Sequence, residues 1–218
     1  MTASFTPACF NTVTTTPFCR VALLPRQDVL PSAELLACIG SDALLRAEGF
    51  QSLKRRCDFL WNRWLLGRLL AQTDPHARLQ EQPPYSPVVH ASSPLFCSIS
   101  HTRNVVAVAL ASHPVAIDVE CPKPGRSIEP IWMRVLNRAL WDNTPDEERT
   151  DAFYRYWGLY ECAVKLKATF VTSATDVHVV AEGVRLPHRH ERPAPDTYLT
   201  VVSAAVSALT LHTVNPVV

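Results

Sequence analysis

Apolar and polar residues alternate in "PVAIDVE", Pro114 to Glu120. Val115, Ile117 and Val119 recur at every second position, the period of a strand. Short apolar runs also predict strands at "CRVALLP" (19–25), "LFCSIS" (95–100) and "VVAVAL" (105–110). "ASHP" turns the last of these into 114–120. A helical period governs two longer segments. In about 42–72, Leu53, Cys57, Leu60, Trp64 and Leu65 keep helical spacing. In "DEERTDAFYRYWGLYECAVKLKA" (146–168), acids open the helix and lysines close it, as the helix dipole favours. "SAELLACIG" (32–40) has the start signal and terminal Gly of a shorter helix. "PPYSP" (83–87) is a break, and a proline-rich connector (121–130) leads into mixed helix. "TDVHVVAEGVRLP" (175–187) predicts a hairpin, "PHRHERPAP" a loop, and 197–214 two final strands. Residues 1–18, rich in Thr, Ser and Pro, are expected to be loose.

The order is strand, helix, strands, then helix, strands, without alternating β-α-β units. It predicts an α+β fold of two similar lobes, each a small, mainly antiparallel sheet packed on a long helix. The expected division is a loose segment at 1–18, an N-terminal lobe at 19–112 and a C-terminal lobe at 113–218.

The chain has 218 residues, enough for a sizeable core. Its net charge of +1 gives no global argument for nucleic acid or an anionic membrane. The seven cysteines are odd in number and none form a Cys-x-x-Cys pair, so a disulfide framework or structural zinc is not expected. No signal peptide or stretch of 18 uninterrupted apolar residues is legible, so a cytoplasmic protein is expected. The six glycines build neither a P-loop nor a Rossmann turn, so any phosphate must meet side chains or helix ends.

The strand at 114–120 carries two carboxylates, Asp118 and Glu120, on one face and roughly 6–7 Å apart. Buried carboxylates need partners. The helix at 146–168 can supply them, because Phe153, Trp157, Glu161 and Lys165 are spaced by four and form one stripe. Asp118, Glu120 and Glu161 could converge on one divalent cation, leaving open positions for a phosphate-bearing substrate. The plainer alternatives are a surface Glu161–Lys165 pair and a strand end in solvent. In "SISHT" (98–102), Ser100 and His101 point to opposite faces, which weakens a hydrolase reading; His101 could instead donate to a phosphate. Arg46, Lys54, Arg55, Arg56, Arg63 and Arg68 face only Glu48 and Asp58 in the first long helix: a solvated face or a phosphate site.

"SISHT" followed by "VAVAL", "AIDVE" and "FYRYWGLYECAVK" resembles the ordered signature set of the 4′-phosphopantetheinyl transferases, of the surfactin-synthetase-activating and bacterial acyl-carrier-protein type. "RWLLGRLL" (63–70) resembles that family's upstream Arg-rich helix. The resemblance runs from about residue 55 to 168. It implies a monomer of two pseudo-symmetric lobes with coenzyme A between them. It also implies Mg2+-dependent transfer of phosphopantetheine to a carrier-protein serine, with release of 3′,5′-ADP. Asp118, Glu120 and Glu161 match the metal ligands. Glu161 also matches the base, and Lys165 the lysine near the reacting phosphate. Ser100, His101 and Arg63 match coenzyme A contacts. Four positions depart from the pattern: Ser86 stands where a lysine is usual, Ala116 for Gly, Gly158 for a hydroxyl residue and Tyr160 for a lysine. Ser86, Gly158 and Tyr160 motivate a second reading, a catalytically weakened relative that binds coenzyme A or a carrier protein. A metal-dependent nuclease is a third, disfavoured by the near-neutral charge. The basic segment 185–193, with Arg189, is expected to be a solvated loop; the sharper alternative is that it meets an acidic carrier-protein helix.

Overall fold

Two long helices, α3 (Leu53–Thr73) and α6 (Arg149–Leu166), each cover a sheet in the computed structural model, which describes residues 16–215. In chain order the remaining elements are β1 (Cys19–Pro25), α1 (Ala33–Leu36), α2 (Ser41–Glu48), β2 (Arg78–Gln80), β3 (Val88–His90), β4 (Phe96–His101), β5 (Val105–Ala111) and β6 (Val115–Glu120). Then come α4 (Glu129–Val135), α5 (Arg138–Asp142), β7 (Thr169–Thr172), β8 (Val177–Ala181), β9 (Val184–Arg185), β10 (His188–Ala194), β11 (Thr197–Ser203) and β12 (Leu209–Thr213). The fold is α+β, with several small and mainly antiparallel sheets. One sheet runs β12-β1-β5-β4 and carries α3; another runs β10-β11-β6 and carries α6.

Strand alternation builds the core. On β5, Val106, Val108 and Leu110 point toward α3 and pack on Leu65, Leu66 and Leu69. Ala107, Ala109 and Ala111 point the other way, onto Ile117, Val119, Leu199 and Val201 of the second sheet. Burial on both faces explains the nearly continuous apolar run of β5. Alanines on the shared face let the sheets approach closely. The far side of the second sheet meets α6 through Phe153, Leu159, Cys162 and Tyr198, with Trp132 of α4 in the same cluster.

Several expected elements differ. The helix expected over 42–72 is two helices. Gly49 closes α2, and Ser52 opens α3 by accepting the Arg55 N–H at 3.4 Å. The helix expected over 32–40 is the single turn α1, capped by Ser32. The segment read as a loop at 187–195 contains β10, an edge strand. His and Arg side chains disguised it, and its register shifts between Glu191 and Ala194, around Pro193. Arg189 there pairs with Glu191 at 2.5 Å. The hairpin expected at 175–187 is present, turning at Glu182 and Gly183 with positive φ, and β7 extends it to three strands. The final two strands join different sheets: β11 pairs with β6, whereas β12 runs parallel to β1. Residues 1–15 of the segment expected to be loose lie outside the described residues.

Candidate active site

β6 lies at the edge of its sheet beside β4, but no backbone ladder joins them among the described residues. Side-chain hydroxyls join them instead. Ser98 Oγ accepts the Ile117 N–H and Ser100 Oγ accepts the Val119 N–H, each at 3.1 Å. The two-residue spacing of the serines matches that of the two strand amides. Asp118 sits between those amides and is only 6% exposed.

A buried carboxylate demands donors. Asp118 Oδ1 has two: Ser100 Oγ at 3.0 Å and Lys165 Nζ at 3.1 Å. Lys165 also donates to the Ile117 carbonyl at 2.7 Å. Asp118 Oδ2 is buried and has no hydrogen-bond partner. One residue pair further along, Trp157 Nε1 donates to Glu120 Oε1 at 3.1 Å. Phe153, fully buried, stacks between Trp132 and Trp157 and fixes that stretch of α6. The stripe Phe153–Trp157–Glu161–Lys165 therefore faces β6, and two of its members hold the two strand carboxylates.

The electrostatics are tense. Burial pushes the Glu120 carboxyl up from 4.5 to about 7, with repulsion from Asp118 and Glu161 adding to it; only the Trp157 bond and Arg126 oppose this. Glu161 is raised as well, by burial and then by Asp118, against Lys165. Cys162, on the same helix, is fully buried and pushed well above its ordinary value by desolvation, which leaves it inert as a nucleophile. Among the described residues no group of three or more His, Cys, Asp or Glu side chains is already gathered to hold a metal ion. Lys165 and Ser100 occupy one side of Asp118, and Trp157 occupies Glu120. The donor chemistry nonetheless suits a divalent cation. The unpartnered Oδ2 and three mutually repelling carboxylates all gain from positive charge, and oxygen donors are what magnesium prefers.

The other expected site residues fall elsewhere. His101 ends β4 and is exposed. Ser100 is buried, its hydroxyl taken by Asp118 and Val119. Arg63 is buried on α3 over the Phe59 ring, and Glu81 accepts from its Nε and Nη2. Any phosphate contact from Arg63 would share that guanidinium with Glu81.

Two of the departures from the resembled pattern, Gly158 and Tyr160, have local causes. A Cβ on Gly158 would lie 2.2 Å from Thr200 Oγ1 of β11, so the bare glycine lets α6 approach the sheet. The Thr200 hydroxyl bonds His190 Nδ1 at 3.0 Å, and burial drives the His190 pKa down to about 3. Tyr160 joins an aromatic row between Trp157 and Phe170. Ser86 is exposed, and the Lys167 ammonium lies 5.2 Å from the ring centroid of the adjacent Tyr85. Sequence reasoning missed Ser98, Thr200 and the Trp157–Glu120 bond. Only the Ser-x-Ser spacing of 98–100 carried a legible signal.

No model of a known protein family matches the chain. A curated 4′-phosphopantetheinyl transferase, HetI of a Nostoc species, is 24% identical over 157 residues, which is 67% of this chain. This similarity supports the 4′-phosphopantetheinyl transferase superfamily. The match covers 66% of HetI, so the chain spans about two thirds of that relative's length. Among the described residues no helix is long and apolar enough to cross a membrane.

Proposed function

We propose that the protein transfers 4′-phosphopantetheine from coenzyme A to a serine of an acyl or peptidyl carrier protein, as a holo-acyl-carrier-protein synthase does. The reading includes a monomer working in the cytoplasm, with no nucleic-acid or membrane partner. The observation that carries it is the buried Asp118 carboxylate, gripped on one oxygen by Lys165 and Ser100 and unpartnered on the other, beside two further carboxylates.

Asp118, Glu120 and Glu161 would hold the magnesium. When bound, that ion supplies neutralisation of the pyrophosphate charge, the main demand of phosphoryl-type transfer. Glu161, with its raised proton affinity, takes the proton of the carrier serine directly or through a water. The serine oxygen bonds to the phosphorus that bears pantetheine, the pyrophosphate P–O bond breaks, and 3′,5′-ADP leaves. Lys165 is the cation nearest the site and steadies negative charge there. His101, exposed at the end of β4, is free to donate to a coenzyme A phosphate, with Arg63 expected nearby. No protein nucleophile is required.

The test is mass spectrometry of apo carrier proteins from fatty-acid, polyketide and peptide synthesis, incubated with the protein, coenzyme A and magnesium. Addition of a phosphopantetheine mass supports the reading, and none across the panel rejects it. The second reading, a binding module without turnover, draws on Tyr160, which is engaged in aromatic packing where the pattern has a lysine. Calorimetric binding of coenzyme A or carrier protein without mass transfer would favour it.

A further inference from the structure

We infer that Ser100 is a positioning residue, one that fixes the rotamer of Asp118 so that Oδ2 faces the cation; this rests on the proposed metal-dependent transfer. The resemblance assigns Ser100 to the coenzyme A phosphates, but the geometry gives it other work. A serine hydroxyl has one proton. Its oxygen accepts the Val119 N–H at 3.1 Å, and its proton points to Asp118 Oδ1 at 3.0 Å. Lys165 Nζ reaches the same Oδ1, at 3.1 Å, and is itself held by the Ile117 carbonyl at 2.7 Å. Both donors converge on one oxygen, and the other is left buried and without a partner. A rotation that exchanged the two oxygens would regenerate the same contacts. A tilt away from them would forfeit both bonds, so the carboxylate plane is pinned and one oxygen is always presented.

Ser98 provides a control within the same seam. It accepts the Ile117 N–H at 3.1 Å, two residues before Ser100, and has no hydrogen bond to a carboxylate among the described residues. Both serines stitch β4 to β6; only Ser100 also orients an acid. Partners that orient a metal ligand typically govern affinity by about 10–100-fold.

The test measures Mn2+ binding to the whole protein by electron paramagnetic resonance, with thermal unfolding of each variant alongside. Ser98→Ala and Ser100→Ala each leave one strand amide without its acceptor and should lower the unfolding temperature, Ser100→Ala somewhat more because Asp118 also loses a donor. Ser100→Ala should weaken Mn2+ binding about 10-fold or more, with Ser98→Ala within about twofold. Should Ser100→Ala fail to fold, Ser100→Cys keeps a side chain of the same branching, somewhat larger, that donates poorly, and the same loss of affinity is expected from it. Equal Mn2+ affinity in the Ser100 and Ser98 variants overturns the positioning role while leaving the metal site standing. A wild-type protein that binds no Mn2+ overturns the metal site and this role together.

Discussion

Two buried carboxylates, Glu81 and Asp118, meet basic side chains in opposite ways. Glu81 is closed. Arg63 Nε and Nη2 take its two oxygens, the second at 2.9 Å, and Arg46 Nη1 adds a further bond. Burial pushes its carboxyl up, yet the two guanidinium groups outweigh that and hold it below the ordinary value. Asp118 is open. Its single cation and hydroxyl share one oxygen, the other has no partner, and its neighbours Glu120 and Glu161 are pushed upward. A satisfied fork serves the fold, whereas an acid left half-partnered among other acids is the kind of strain that a bound cation relieves. Burial alone therefore does not mark a functional acid; the tally of its donors does.

This contrast can be broken most forcefully at the closed end. Glu81→Ala strands the buried Arg63 guanidinium and should cost about 3–5 kcal/mol of stability in urea unfolding. A loss no larger than that of an ordinary surface substitution would mean that Glu81 is not structural. At the open end, Glu161→Ala should lower carrier modification about 100- to 1,000-fold in a mass-resolved rate assay while thermal unfolding changes little. Retained rate would remove Glu161 from the machinery.

A smaller effect is expected where α6 meets β11. Gly158→Ser forces a Cβ into Thr200 Oγ1 and should cost about 1–3 kcal/mol. Adding Thr200→Gly should recover most of that loss in a double-mutant cycle of chemical denaturation. Recovery would place the strain at this contact, and strict additivity would place it elsewhere.

The smallest effect is a pH slope. Glu120 binds its proton more tightly folded than unfolded, so its contribution to stability is complete below about pH 4.5 and is lost as pH rises toward about 7. His190 works in the other direction: with its pKa depressed to about 3, it favours the folded state above about 6.5 and loses that contribution as pH falls. The two windows overlap and oppose each other between about pH 4.5 and 6.5, so Glu120→Gln should make metal-free stability climb more steeply with pH there and remove the fall between about 6.5 and 7. An unchanged pH profile would contradict the raised proton affinity of Glu120.

The open site was more legible in the sequence than the closed one. Asp118 and Glu120 interrupt an apolar strand at period two, and Trp157, Glu161 and Lys165 follow a helical stripe; both are local patterns, and the two elements meet at Lys165–Asp118 and at Trp157–Glu120, a bond the patterns themselves do not announce. Glu81 gave no such sign, because its partners lie 18 and 35 residues away and the charge run on α3 resembles a solvated face. Long-range pairing hid other features as well. Nothing near Leu209–Thr213 announces a parallel partner at Cys19–Leu23. β10 was illegible because an edge strand tolerates histidine, arginine and proline that a central strand excludes. The break at Gly49–Ser52 was masked by apolar spacing on both sides, although Gly49 and Ser52 are the residue types that end and start helices.

Under the proposed function, Asp118 is held open for a divalent cation that meets the coenzyme A pyrophosphate. Calorimetric titration of coenzyme A, with and without magnesium, into the wild-type protein and Asp118→Ala tests it directly. Magnesium should strengthen binding to the wild type and have no effect on the variant. Equal strengthening in both, or none in either, would contradict it.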